Sequence, residues 1–317
     1  MKRCATFLVW LLAFVASASV CASPAPILSP SELVALRDSP SVTVIDIRSP
    51  SDYAQGHIPG AYSSPYSTWR GPAHSPGTLP SLETLSEHVR QLGLTREHHA
   101  VVVSSGANVS DFGAAARVYW TLKYLGLTQL SILNGGMAAW QAAQQTTTQA
   151  ASALPPPSQY QPELNTTILA TQADVIANID SPTVKLIDAR PKRFYEGQTK
   201  APTALVPGTI RSALNIEHSL WFAADSNLIV TPEQARAIAA KHFPDLTGDS
   251  IAFCNTGHWA ATDWFALSEL VGLADIRLYP ESLAQWTHAD PALPMDHTPS
   301  RASQISDAFK NLFGKKS

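Results

Sequence analysis

The chain has 317 residues, 45% of them hydrophobic and 15% charged, with a formal net charge of -3 at pH 7. That length allows two domains, each able to bury a core. A near-neutral balance without blocks of like charge offers no footprint for nucleic acid, an acidic partner or a lipid surface, so the expected partner is small.

Taken from its start, the chain opens with Lys2 and Arg3, an apolar run from Phe7 to Val15, and Val20 and Ala22 at the two positions a small-residue cleavage site requires. The run is too short to cross ~30 Å of hydrocarbon. Residues 1–22 are therefore expected to be a cleaved signal peptide, with the mature protein periplasmic or secreted and without a membrane span. Cleavage removes Cys4 and Cys21, and the bulky Val20 argues against lipid attachment at Cys21. One cysteine, Cys254, then remains, and it has no partner for an internal disulfide.

Residues 42–65, VTVIDIRSPSDYAQGHIPGAYSSP, give an apolar strand, Asp46 and Arg48 two apart, an aromatic, a Gly and a Pro-Gly turn. Residues 184–216, VKLIDARPKRFYEGQTKAPTALVPGTIRSALNI, repeat that order. Residues 101–127, VVVSSGANVSDFGAAARVYWTLKYLGL, match residues 251–272, IAFCNTGHWAATDWFALSELVG, as strand, polar Gly-containing loop and aromatic-rich helix. LSILNGGMAAW and IRLYPESLAQW close the two halves with a strand, a turn and a Trp. The natural reading is one unit in two copies, residues 27–142 and 166–297. Residues 143–165 between them, rich in Gln, Thr, Ala and Pro, form an extended linker. Alternating strands and helical patterns predict an α/β fold of two tandem domains, each a mostly parallel sheet with helices on both faces. The tail, residues 298–317, carries an amphipathic stretch from Ile305 to Phe313 expected to dock on the body or fray.

Cys254 falls where a buried strand gives way to a loop and then a helix. Such loops and the first turn of a helix offer free N–H groups that favour an anion. A sulfur there is expected to be held as thiolate, and the same donors can hold a second, transferred sulfur. The alternative is a buried, inert thiol.

The ordered set HIPGA (residues 57–61), LNGGMAAW (133–140), LIDAR (186–190), the Cys254 loop and YPESLAQW (279–286) resembles the tandem-domain rhodaneses, the thiosulfate and 3-mercaptopyruvate sulfurtransferases, over about residues 29–294. The resemblance implies a catalytically silent first domain, and Ser104, the nearest counterpart of Cys254, cannot form a persulfide. It implies attack by Cys254 on a small anionic sulfur donor such as thiosulfate, a Cys254 persulfide held by the loop Asn255, Thr256, Gly257, His258, Trp259 and Ala260, and transfer to cyanide or a thiol in a ping-pong sequence. No metal or organic cofactor is expected. A donor such as mercaptopyruvate, or a role as a persulfide carrier for a protein acceptor, uses the same cysteine.

Substrate choice is less determined. The side chains after Cys254 are neither basic, as in thiosulfate-preferring relatives, nor uniformly small and neutral. His258 is expected to supply a positive charge or a ring donor, or else simply to face solvent. Arg190 matches a family arginine that binds the anionic donor, with a salt bridge to Asp188 as the alternative. Arg193 stands one residue short of a second such arginine. A cysteine-dependent phosphatase would need an arginine closing this loop, and Ala260 and Ala261 occupy that place. The loop of the first copy, SSGANVSDFG, reads as about four residues longer than that of the second.

Overall fold

The computed structural model describes residues 24–245 and 248–299. The expected signal peptide and the stretch from Ile305 to Phe313 lie outside them. The first half runs β1 (Ile27–Leu28), α1 (Pro30–Leu36), β2 (Val42–Asp46), α2 (Pro50–Gln55), β3 (Tyr62–Ser63), α3 (Leu82–Gln91), β4 (His99–Val103), α4 (Val109–Tyr124), β5 (Leu130–Leu133) and α5 (Gly136–Ala142). The second half runs α6 (Gln172–Ala177), β6 (Lys185–Asp188), α7 (Lys192–Tyr195), β7 (Thr209–Ile210), β8 (Leu214–Asn215), α8 (Pro232–His242), β9 (Ser250–Phe253), α9 (Trp259–Phe265), β10 (Ile276–Leu278), α10 (Ser282–Trp286) and β11 (Met295–Asp296).

The two main sheets have one topology, and β7 and β11 form a separate antiparallel pair. The first orders its strands β1-β5-β4-β2-β3, all parallel. In the second the order is β10-β9-β6-β8, also parallel, and a bridge from Leu169 to Leu278 takes the place of β1. The central strands read as continuous apolar runs, such as Ala100, Val101, Val102 and Val103, because helices cover both faces. Helix starts are set by side-chain caps, including Ser29, Asn108, Thr171 and Thr231. In a sheet of this type the ligand site lies beyond the carboxyl ends of the strands. Asp188 ends β6 and Cys254 follows β9, its neighbour.

Two expectations are corrected. Five residues, 104–108, separate β4 from α4, and five, 254–258, separate β9 from α9. The loops are equal because Asn108 caps α4 at the same offset. Nor is Pro207-Gly208 the counterpart of Pro59-Gly60. The carbonyl of Gly208 accepts from Arg190 as that of Gly56 accepts from Arg48, so Ser212 (φ 66°) stands where Gly60 (φ 83°) does.

One apolar cluster runs through both domains, beside a smaller one within each. Phe112 and Tyr119 of α4 meet Phe265 of α9 edge-on at 5.4 and 5.0 Å between ring centres, and Trp120 donates to the Ile168 carbonyl. Beyond Phe265 the chain continues as a π-helical turn (Ala266–Val271), whose Glu269 accepts from Tyr119 at 2.8 Å and Lys123 at 2.6 Å. This packing lays α4 against the loop that carries Cys254.

Candidate active site

Cys254 is a free thiol with 1% of its surface exposed. Its loop is fastened from beneath by Ser282, whose hydroxyl accepts from the N–H groups of Cys254 (3.0 Å) and Gly257 (3.1 Å) and donates to the Tyr279 carbonyl (2.8 Å). The carbonyls of Cys254 and Asn255 accept from Leu283 and Ala284 at the start of α10. Among the described residues, the N–H groups of Asn255, Thr256 and His258 meet no protein acceptor. The loop therefore presents unsatisfied donors around a thiol, which is the arrangement that holds an anionic sulfur.

Ser282 is the site residue that sequence reasoning missed. It is fully buried at φ 54°, a strained backbone for a residue with a side chain. In the first copy its place belongs to Gly136, also at φ 54°, where an added Cβ would lie 2.3 Å from the Ser104 carbonyl oxygen. The signal was legible in aligning LNGGMAAW with YPESLAQW, where a serine replaces a glycine in the copy that has the cysteine.

Arg190 is 1% exposed and turned chiefly to structure. Its Nε and Nη2 grip Asp188 at 2.9 and 2.6 Å, and Nη2 also donates to the Gly208 carbonyl at 2.7 Å. Arg48 makes the same bonds to Asp46 and Gly56 in the copy without a cysteine. The difference is Nη1, which reaches the Asn255 side-chain oxygen at 3.4 Å and so touches the loop. Arg193 is exposed, has no carboxylate partner among the described residues and lies 5.3 Å over the Phe194 ring. Phe194 meets Trp259 edge-on at 6.0 Å, and Trp259 stacks on His218 at 4.8 Å. These aromatics join α7 to the loop.

His258 is half-buried, and both nitrogens of its ring are taken by the first domain. Its Nδ1 lies 3.1 Å from the Tyr66 hydroxyl and its Nε2 lies 2.8 Å from the Ser110 carbonyl and 3.1 Å from the Ser110 hydroxyl, all in the first domain. Burial, with Arg70 adding to it, pushes its pKa down to about 4, so the ring is neutral, with Nδ1 accepting and Nε2–H donating. Trp259 donates to Ser110 at 2.8 Å, while Ala260 and Ala261 are fully buried. Thr256 and Gly257 turn their carbonyls to Arg70 and Arg117 of the first domain, at 2.7 and 3.2 Å. In the first domain's own loop, Ser105 is bonded to Asp111, and Ser104 is buried. Among the described residues no group of three or more His, Cys, Asp or Glu side chains could hold a metal.

Residues 29–143 and 171–289 each match the family described as Rhodanese-like domain. A thiosulfate sulfurtransferase of Bos taurus is 32% identical over 244 residues, 76% of this chain and 80% of that protein. A 3-mercaptopyruvate sulfurtransferase of Escherichia coli is 27% identical over 263 residues, 78% and 90% respectively. The crystal structure of an Escherichia coli 3-mercaptopyruvate sulfotransferase superposes with a TM-score of 0.70 at 25% identity, covering 82% of this chain and 99% of that one.

Proposed function

Because this chain belongs to the rhodanese family and is a sulfurtransferase, we propose that Cys254 is its nucleophile and that thiosulfate is its donor. The Cys254 thiolate attacks the outer sulfur of thiosulfate. A new S–S bond forms to Cys254, the S–S bond of the donor breaks, and sulfite leaves with the electron pair. The outer persulfide sulfur is then attacked by cyanide or a thiolate, which takes it as thiocyanate or a new persulfide and returns the Cys254 thiolate. The free N–H groups of Asn255, Thr256 and His258 stabilise the anionic sulfur at each stage.

The observation that carries this reading is a single free cysteine among the described residues, at the carboxyl end of β9, followed by a loop with three N–H groups that meet no protein acceptor. Arg193, over the Phe194 ring that meets Trp259, and Nη1 of Arg190 at Asn255 supply positive charge for a dianion. A second reading, mercaptopyruvate as donor, is favoured by the neutral side chains of Asn255, Thr256 and His258 along the loop. Intact mass before and after each donor decides between them. A gain of about 32 Da on the wild type and none on Cys254→Ser establishes the covalent step and names the donor. No gain with either donor leaves a carrier loaded by another protein or an inactive relic of the site. The start of the chain, with Lys2, Arg3 and the apolar run from Phe7 to Val15, supports export to the periplasm or beyond, which N-terminal sequencing of the mature protein tests.

A further inference from the structure

Two cations of the first domain end on the cysteine loop of the second. Arg117, in α4, has no exposed surface. Its Nη1 donates to the Gly257 carbonyl at 3.2 Å and its Nη2 to the Gly77 carbonyl at 2.8 Å, while Nε meets no acceptor. Arg70, partly buried, donates from Nη2 to the Thr256 carbonyl at 2.7 Å, from Nε to the Pro76 carbonyl at 2.7 Å and from Nη1 to Tyr66 at 2.9 Å. Among the described residues neither guanidinium has a carboxylate within ion-pair distance. A buried cation without a counter-ion is costly. Burial lowers the pKa of Arg117 to about 10, which still leaves it charged at neutral pH. The titratable groups sharing this space are Tyr66, His258, Glu281 and Cys254.

The two carbonyl contacts have a geometric consequence. A trans peptide points its C=O and N–H in opposite directions. Holding the Thr256 carbonyl on Arg70 sends the Gly257 N–H to Ser282, where it is found. Holding the Gly257 carbonyl on Arg117 sends the His258 N–H away from α4, where no protein acceptor takes it. The approach is close enough that a Cβ on Gly257 (φ 67°) would lie 2.3 Å from Arg117 Nη1.

We propose that Arg70 and Arg117 are positioning residues for Cys254. Arg117 fixes the peptide whose His258 N–H is left free for an anion, Arg70 fixes the one whose Gly257 N–H is anchored on Ser282, and their charge is balanced by the anion that Cys254 carries as thiolate or persulfide. The first domain, which lacks a nucleophile, thus supplies half the frame of the site. This rests on the persulfide reading above, so its test includes a readout independent of sulfur transfer.

The experiment compares wild type, Arg117→Met, Arg117→Lys and Arg70→Met. It measures iodoacetamide alkylation of Cys254 from mildly acidic to alkaline pH, together with kcat and KM for thiosulfate. Arg117→Met is expected to move the alkylation midpoint to higher pH and to lower kcat by roughly 10- to 100-fold with little change in KM. Arg117→Lys keeps the charge and loses the fork, so it restores the midpoint but only part of kcat. If Arg117→Met does not fold, Arg70→Met, at a less buried position, is expected to show the same two changes at smaller size. Folded variants with the wild-type midpoint and kcat overturn the proposal. A shifted midpoint in a protein that no donor loads sinks the persulfide reading and leaves the positioning role standing.

Discussion

At the residue scale, two arginines three residues apart in the sequence, Arg190 and Arg193, have different duties. Arg190 and Asp188 are both buried and joined by three side-chain hydrogen bonds, so removing the cation leaves a buried carboxylate short of partners. Arg190→Ala is expected to cost about 3 to 5 kcal/mol of stability, read as a fall in Tm. Arg193→Ala is expected to leave Tm unchanged and to raise KM for thiosulfate a few-fold, with the difference shrinking as salt is added. A KM that does not move removes Arg193 from the site. Ser282→Ala keeps the strained backbone and leaves the Cys254 and Gly257 N–H groups without their acceptor. It is expected to cost about 2 to 4 kcal/mol and to slow transfer, because the loop loses its anchor. Cys254 and its loop were legible in the sequence, since a lone cysteine between an apolar run and a helical period is a local signal. Ser282 lies 28 residues beyond Cys254 and binds through a single hydroxyl, so its signal lay only in comparing the two copies, not in any pattern local to the cysteine.

At the element scale, α4 and α9 approach more closely than their side chains alone require, because Gly113 faces His258. A Cβ there would lie 2.8 Å from the His258 carbonyl oxygen and 3.1 Å from its ring. Helix propensity alone favours alanine over glycine by about 1 kcal/mol. The contact decides the sign the other way. Gly113→Ala is expected to lower Tm and slow sulfur transfer together, since it pushes on the loop, and a raised Tm would show that the helices can slide apart without cost. The duplicated order of strands and helices was legible because period and turn residues recur in both halves. Where the copies diverge, reading failed: residues 195–208 are longer than their counterpart, so similar dipeptides, Pro59-Gly60 and Pro207-Gly208, were matched although the carbonyls of Gly56 and Gly208 hold equivalent places. The π-helical turn after α9 was likewise invisible, since one extra residue in a turn changes the apolar spacing too little to detect.

At the scale of the whole molecule, what the sequence could not give is the contact between the halves, because each partner is hundreds of ångströms of extended chain away from the other and shares no local pattern with it. His258 is the clearest case: a residue expected either to serve the substrate or to face solvent instead joins the domains, accepting from Tyr66 and donating to Ser110. Its folded pKa, about 4, lies below the unfolded value of about 6.5, so the neutral ring is the form the folded state binds. The stability tied to that neutrality is complete above pH about 6.5 and is lost as pH falls through about 4. Protonation removes the acceptor for Tyr66 and places another cation near Arg70, Arg117 and His218. The loss is expected to be on the order of 3 kcal/mol. Three other histidines, His88, His99 and His218, are also lowered by burial and titrate in the same direction, so the wild-type curve alone does not isolate the contact. His258→Gln, which keeps a donor and cannot titrate, does. Its Tm is expected to fall less than that of the wild type between pH about 6.5 and about 4. Parallel curves would mean that the domain contact does not depend on the charge of His258, and that its neutrality follows from burial without contributing to how the two halves hold together.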